Sequence, residues 1–136
     1  MDFVKSIAIA ASGLRAQAGR MRVISENIAN ADSTAPTSTG DPYRRKVPTF
    51  SSALDRTLDA KVVTLGKIRL DQSAFRVKHE PGNPAADAAG NVKYPNVNPL
   101  VEMTDMREAQ RSYEANLNII SATRRMIQRT LDILKA

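Results

Sequence analysis

SENIANADSTAPTSTGDPYRRK, residues Ser25–Lys46, starts as the tail of an apolar-periodic segment and dissolves into Asn, Ala, Ser, Thr, Pro and Gly. It ends on one tyrosine and three consecutive cations. Pro and Gly among Ser, Thr and Asp punctuate a chain and mark a loop. The phrase therefore closes whatever helix precedes it. Three readings of the break compete: a catalytic loop, a basic hook for nucleic acid, or a joint in an assembly subunit.

Upstream of the break, Ile7, Leu14, Met21 and Ile28 recur at a spacing of seven. Val4, Ala11, Ala18 and Ser25 recur three residues before the next member of that row. Together they make an a/d seam with small residues on one edge. The spacing predicts a helix from about Asp2, a suitable N-cap, to about Ala31. Gly13 and Gly19 each weaken an isolated helix by roughly 1 kcal/mol relative to Ala, so this helix depends on partners for its order.

A second helix is predicted from Asn98-Pro99 to the end, Asn at the N-cap and Pro at the first helical position. Tyr113, Ile120, Ile127 and Leu134 form one row. Gln110, Leu117, Arg124 and Leu131 form the other, and Ile119, Met126 and Ile133 widen the apolar face. Glu102, Asp105 and Glu108 near its start and Arg124, Arg125, Arg129 and Lys135 near its end match the helix dipole. About 36 residues at 1.5 Å each would span ~54 Å, long for a globule and ordinary for a coiled coil. Arg124 in a seam argues against a dry two-helix core and for a third surface approaching there, such as a carboxylate of another chain.

The middle differs in kind. Phe50, Leu54 and Leu58, four apart, predict a short helix within Val47–Ala60. KVVTLGKIRL (61–70), FRVKH (75–79) and NVKY (91–94) read as short strands or a hairpin, and EPGNPAADAAGN (80–91) as a loop. This stretch has too few apolar residues to fold alone and must pack on the helices or on a neighbour. The expected fold class is mainly α with a small β region: long terminal helices pairing as a coiled-coil-like unit, with a β-hairpin and loop segment between. The expected domains are residues 1–31 and 98–136, the two halves of an inner helical domain, and 32–97, a β-rich outer segment.

Composition narrows the function. Only 4% of the 136 residues are aromatic, and Trp is absent, which fits thin helix-to-helix packing better than one thick core. With no Cys and one His, a usual zinc site cannot be built, and disulfides and thiol chemistry are excluded. His79 beside Glu80 is no acid–base pair, because neighbours on a strand face opposite ways. No nucleophile elbow, phosphate-binding glycine loop or calcium loop is present. No enzyme, metal or cofactor is expected.

The net charge of +6 is spread out: four cations and two anions in 1–31, ten and seven in 32–97, six and five in 98–136. YRRK (43–46) is the sharpest run, with cations for phosphates and Tyr43 for stacking on a base. Three cations without a neighbouring basic cluster are too few, so no nucleic-acid partner is expected. No apolar run approaches the ~20 residues of a membrane span, and no membrane insertion is expected. IAIAA followed by AQA imitates a signal peptide, but Ser12, Gly13 and Arg15 interrupt it, so no cleavage is expected.

ENIANADST at the end of the first helix and NVNPLVEMTDMREAQRSYEANLNIISATRRM at the start of the last resemble the ends of the bacterial flagellar axial proteins, the rod and hook family. GDPYRRK, RVKHEPGNPAADAAGNVKYPNVN and the short length resemble the proximal-rod members, and the resemblance covers nearly the whole chain outside residues 50–72. Asn27, Asn30, Tyr43, Arg44, Arg45, Asn98 and Asn116 fall in those motifs. The resemblance implies a structural subunit of the basal body, exported uncleaved through the flagellar type III apparatus. It implies polymerisation into a hollow rod across the periplasm that transmits torque and serves as an export channel. The implied partners are further copies, other proximal and distal rod proteins and the adaptor to the rotor ring. The terminal helices would form the inner tube, and YRRK would lie where adjacent subunits touch.

Overall fold

The computed structural model describes residues 2–135. Helix α1 spans Phe3–Ala29 and helix α2 spans Pro99–Lys135. Between them lie six short strands: β1 (Lys46–Val47), β2 (Phe50–Asp55), β3 (Ala60–Leu65), β4 (Arg69–Leu70), β5 (Arg76–His79) and β6 (Asn91–Tyr94). They pair antiparallel in three two-stranded sheets, β1 with β4, β2 with β3 and β5 with β6. The fold is mainly α with a small β region, as the periodicity predicts.

Both helices start where their caps place them. Asp2 Oδ1 accepts the N–H groups of Val4 and Lys5, each at 3.1 Å, and Asn98 Oδ1 accepts that of Leu100 at 3.1 Å. At the far end of α1, the Glu26 carbonyl accepts both the Asn30 backbone N–H at 3.1 Å and the Asn30 Nδ2 at 2.8 Å, so one residue doubles the bond that closes the last turn.

The helix expected within Val47–Ala60 is not formed. Phe50 and Leu54 belong to β2, registered against β3 with Phe50 opposite Leu65 and Asp55 opposite Ala60. A spacing of four also places residues on one face of a strand, so Phe50 and Leu54 fit either state. The β-branched partner stretch at 62–64 decides for the strand. Asp55 Oδ1 then caps the turn through the N–H groups of Thr57 and Leu58, and Asp59 takes a left-handed φ of 46°. The remaining strand expectations are met, except that KVVTLGKIRL divides at Gly66 into β3 and β4, which pair with different strands.

The chain forms two compact units: Met1–Met21 with Pro48–Lys67 and Arg107–Ala136, and Arg22–Val47 with Ile68–Met106. In the first, the β2–β3 hairpin rests on α1. Ser12, buried, accepts the Val63 N–H on its hydroxyl at 3.1 Å, and a Cβ on Gly19 would lie 2.7 Å from the Leu65 side chain. Asn116 of α2 lies over Gly13, where a Cβ would meet it at 2.9 Å. In the second unit, Ala85, Val92 and Tyr94 form a small apolar cluster under the 80–91 loop.

Candidate assembly interface

Two kinds of surface carry the family motifs. The first is a polar joint inside the second unit. Asn27, fully buried on the last turns of α1, uses its whole amide. Its Oδ1 accepts the Tyr43 hydroxyl at 2.8 Å and the Lys46 N–H at 2.9 Å. Its Nδ2 donates to the Lys46 carbonyl at 2.8 Å and to Glu102 Oε2 at 3.1 Å. With two donors and two acceptor sites filled, the side chain acts as a peptide group paired to β1. Asp would lose both donors and place a second carboxylate beside Glu102.

Glu102, with a side chain only 1% exposed, pairs with Arg45 Nε. The same guanidinium reaches Asp71 at 3.6 Å and Asp105 at 3.7 Å. Asn96 Oδ1 accepts the Arg45 N–H at 2.8 Å, and Asn96 Nδ2 donates to the Asp71 carbonyl at 3.0 Å. Arg44 donates to the Asp71 and Ser73 carbonyls at 3.0 and 3.2 Å and stacks 4.2 Å over the Phe75 ring. Lys46 Nζ bonds Glu26 at 2.9 Å.

These contacts shift the ionisations. Burial draws the Arg45 pKa down, and the hydrogen bond and charge of Glu102 more than offset it, leaving it above its ordinary value. Hydrogen bonds from Ser73, aided by Arg45, hold Asp71 below the usual carboxylate range. The Lys46 hydrogen bond lowers Glu26 and is raised by it in turn. Burial pushes the Tyr43 phenol up.

Tyr43, Arg44, Arg45 and Lys46 therefore all find partners within the chain. With these partners the run no longer offers three free cations as a hook for phosphates.

The second surface is helical and apolar. Along α2, Ala109, Tyr113, Asn116, Ile120, Thr123 and Ile127 are buried or half-buried, at alternating steps of four and three. The row Tyr113, Ile120, Ile127 is thus covered within the chain, while Leu134 of the same row is 77% exposed. Its covered companions are Ala109, Asn116 and Thr123. The leucine row, Gln110, Leu117, Arg124 and Leu131, is exposed. Ile119, Met126 and Ile133 are bare as well. On α1, Ile7, Ala11, Leu14, Met21 and Ile28 are half-buried, whereas Val4 and Ala18 are exposed. The fully covered positions there are Ala10, Ser12, Ala16, Val23, Ile24 and Asn27.

Among the described residues, no cluster of His, Asp or Glu could hold a metal ion, and no helix is long and apolar enough to cross a membrane.

Comparison with known proteins follows the same motifs. Residues 7–35 match the family described as "Flagella basal body rod protein", and residues 88–133 match "Flagellar basal body rod FlgEFG protein C-terminal". The flagellar basal-body rod protein FlgC of Agrobacterium fabrum is 54% identical, covering 94% of this chain and 92% of the relative. The chain belongs to the FlgC family of flagellar basal-body rod proteins. FlgC of Bacillus subtilis is 40% identical over 99% of this chain and its own full length. FlgC of Salmonella typhimurium is 39% identical over 92% of each.

Sequence reasoning placed Asn27, Tyr43 and Arg45 in family motifs but missed Glu102, the acid that joins Asn27 and Arg45. Its position in the first turn of α2 gave it an ordinary explanation as a dipole partner. The one available signal was a carboxylate at the start of a helix facing a row of three cations far away in the chain.

Proposed function

We propose that this chain is a structural subunit of the proximal rod of the flagellar basal body, without catalytic activity. It polymerises with further copies and with other rod proteins into a hollow shaft that transmits torque and conducts exported subunits. One observation carries this reading. Leu117, Ile119, Met126, Leu131, Ile133 and Leu134 stand on α2 with 43–77% of their surface bare. An apolar face of this extent is ordinary when neighbours cover it and anomalous on a lone soluble chain.

In this reading residues 1–31 and 98–136 form the inner, shaft-building domain, and residues 32–97 the outer segment. Val4, Leu117, Arg124, Leu131 and Leu134 face neighbouring subunits. The polar joint around Asn27, Arg45 and Glu102 ties the end of α1 to the first turn of α2. The chain reaches the periplasm through the flagellar type III apparatus without cleavage and meets the rotor-ring adaptor at the base of the rod. Glycine-weakened helices and few aromatic residues suit a subunit that crosses an export channel unfolded and orders on assembly, where burial between subunits offsets the ordering entropy.

Deleting the gene and imaging isolated basal bodies by electron microscopy tests the assignment. Membrane rings without a rod, with motility restored by the intact gene, are expected. Complete rods and hooks in the deletion strain would overturn it.

A further inference from the structure

The two edges of the β2–β3 hairpin are treated differently. On the β3 side, the Val63 N–H is taken by the buried Ser12 hydroxyl of α1. That bond also fixes the orientation of the ladder. In an antiparallel pair, opposite residues alternate between those that exchange hydrogen bonds and those that do not. Val63 donates to α1, so its partner Ser52 belongs to the second kind, as do Phe50 and Leu54. The Gly66 N–H donating to the Thr49 carbonyl at 2.6 Å sets the same alternation from the other end. The N–H and C=O groups of Phe50, Ser52 and Leu54 therefore point away from β3.

Nothing guards that edge. Residues 50–54 are all exposed and carry no Lys, no Pro and no charge; the charges of the hairpin lie at Asp55, in the turn and on β3. Edge strands in soluble proteins are ordinarily blunted by such residues. A row of unpaired peptide groups flanked by Phe50 and Leu54 accepts one chemistry, an extended backbone.

We propose that this edge is a strand-pairing site, and that its occupant is β2 of a second copy, antiparallel and centred on Ser52. The sequence is self-complementary in that register. Ser52 meets Ser52, Phe50 meets Leu54, and Ser51 meets Ala53. All three outward residues then exchange backbone hydrogen bonds with outward residues of the second copy. Asp55 falls opposite Thr49, so no like charges meet. Sliding by one pairing step in either sense sets an outward group against Pro48, which has no N–H, or sets Arg56 against Phe50. The contact is two-fold and closes on itself, so it gives a dimer rather than a fibre. It shields the bare edge of a subunit outside the rod.

The native chain has no Cys, which makes a direct test available. Directly opposite residues of a bonded pair lie about 5.5 Å apart at Cα, within disulfide reach. Full-length Ser52→Cys is expected to form a disulfide dimer under mild oxidant at least about tenfold faster than Asp59→Cys in the turn. Ser52→Lys sets two ammonium groups face to face, and like charges directly opposite are unfavourable. It should weaken the dimer seen by analytical ultracentrifugation about tenfold or more, with Ser52→Ala unchanged. Ser52→Pro removes an N–H that the hairpin itself does not use, so far-UV circular dichroism should be retained while the dimer is lost. A wild-type chain that sediments as a monomer at all concentrations, or equal cross-linking at Ser52 and Asp59, would overturn self-pairing. Loss of rod incorporation by Ser52→Pro in that case would assign the edge to another rod protein's strand.

Discussion

The two compact units satisfy their side chains in opposite ways. In the unit built from 22–47 and 68–106, the polar groups close on each other. Asn27 fills every hydrogen-bonding site it has, Arg45 meets three carboxylates, and Tyr94 donates to Glu80 at 2.9 Å. In the unit built from 1–21, 48–67 and 107–136, the covered positions are small or polar, such as Ala10, Ser12, Ala16, Ala109 and Thr123, while large apolar side chains stand bare. Burial of large side chains supplies most of the driving force for ordering a chain. Bare apolar side chains occur in the unit of 22–47 and 68–106 too, at Val77, Leu100 and Met103, so the contrast lies in how fully the polar groups are paired there and in the longer apolar face of the other unit. In the proposed rod subunit, the joint is complete before assembly and the bare face is what assembly would cover.

The largest test of that contrast is Glu102→Ala. The substitution takes from Arg45 its buried partner, leaving Asp71 and Asp105 beside it, and takes from Asn27 the acceptor of one donor. Breaking a fully buried pair costs about 3–5 kcal/mol, and the partly exposed, still partnered Arg45 brings the expected cost down to about 2 kcal/mol. The chain should lose that much stability in urea unfolding, and Glu102→Gln, which keeps the Asn27 bond, should lose less. An unchanged urea midpoint for Glu102→Ala would show that the joint does not hold the unit together.

A smaller, graded effect is expected in acid. Asp71, Glu26 and Glu80 all lie in the polar unit, and all have pKa values below their ordinary range. For Asp71 the cause is the hydrogen bonds from Ser73 and the nearby Arg45; for Glu26 it is Lys46; for Glu80 it is Asn83 and Tyr94. A carboxylate whose pKa is depressed on folding contributes stability above its unfolded pKa of about 4, and that stability is lost as pH falls through the folded value. Amide hydrogen exchange in the Asn91–Tyr94 and Lys46–Val47 strands should therefore accelerate below about pH 4. Exchange independent of pH-driven opening over that range would break the link between these bonds and the unit's order.

How much of this was legible in the sequence follows the same division. The helix starts could be read because Asp2 and Asn98 act on the residues directly after them. The Tyr113–Ile120–Ile127 row could be read because its spacing is local. The companion row could not. Leu117 and Leu131 have the character of core residues, and Ala109, Asn116 and Thr123 do not, so a pattern built on hydrophobicity chose the leucines. A heptad pattern records every face a helix will bury, including faces covered only by another molecule. The joint was illegible for a different reason. Asn27, Arg45 and Glu102 are separated by 18 and 57 positions, and each had an ordinary local role that concealed the shared one. The Phe50–Leu58 stretch failed because a spacing of four fits helix and strand alike, and only the pairing with β3 decides.

The smallest expected effect on the isolated chain gives the sharpest test of the division between the units. Leu117 is 47% exposed and belongs to the uncovered row of α2. Leu117→Asp should leave the urea midpoint within about 0.5 kcal/mol of wild type, as surface substitutions do. In the rod, the same carboxylate would be buried without a partner, at a cost no helix interface can offset. Swarming and rod assembly should be lost while the purified chain remains as stable as before. Ile120→Asp, half-buried in the covered row, should lose stability and assembly together. Wild-type swarming by Leu117→Asp would mean the bare leucine row is not an assembly face. A large loss of stability in that variant would mean that the row is covered within the chain after all, and the opposition between the two units would not hold.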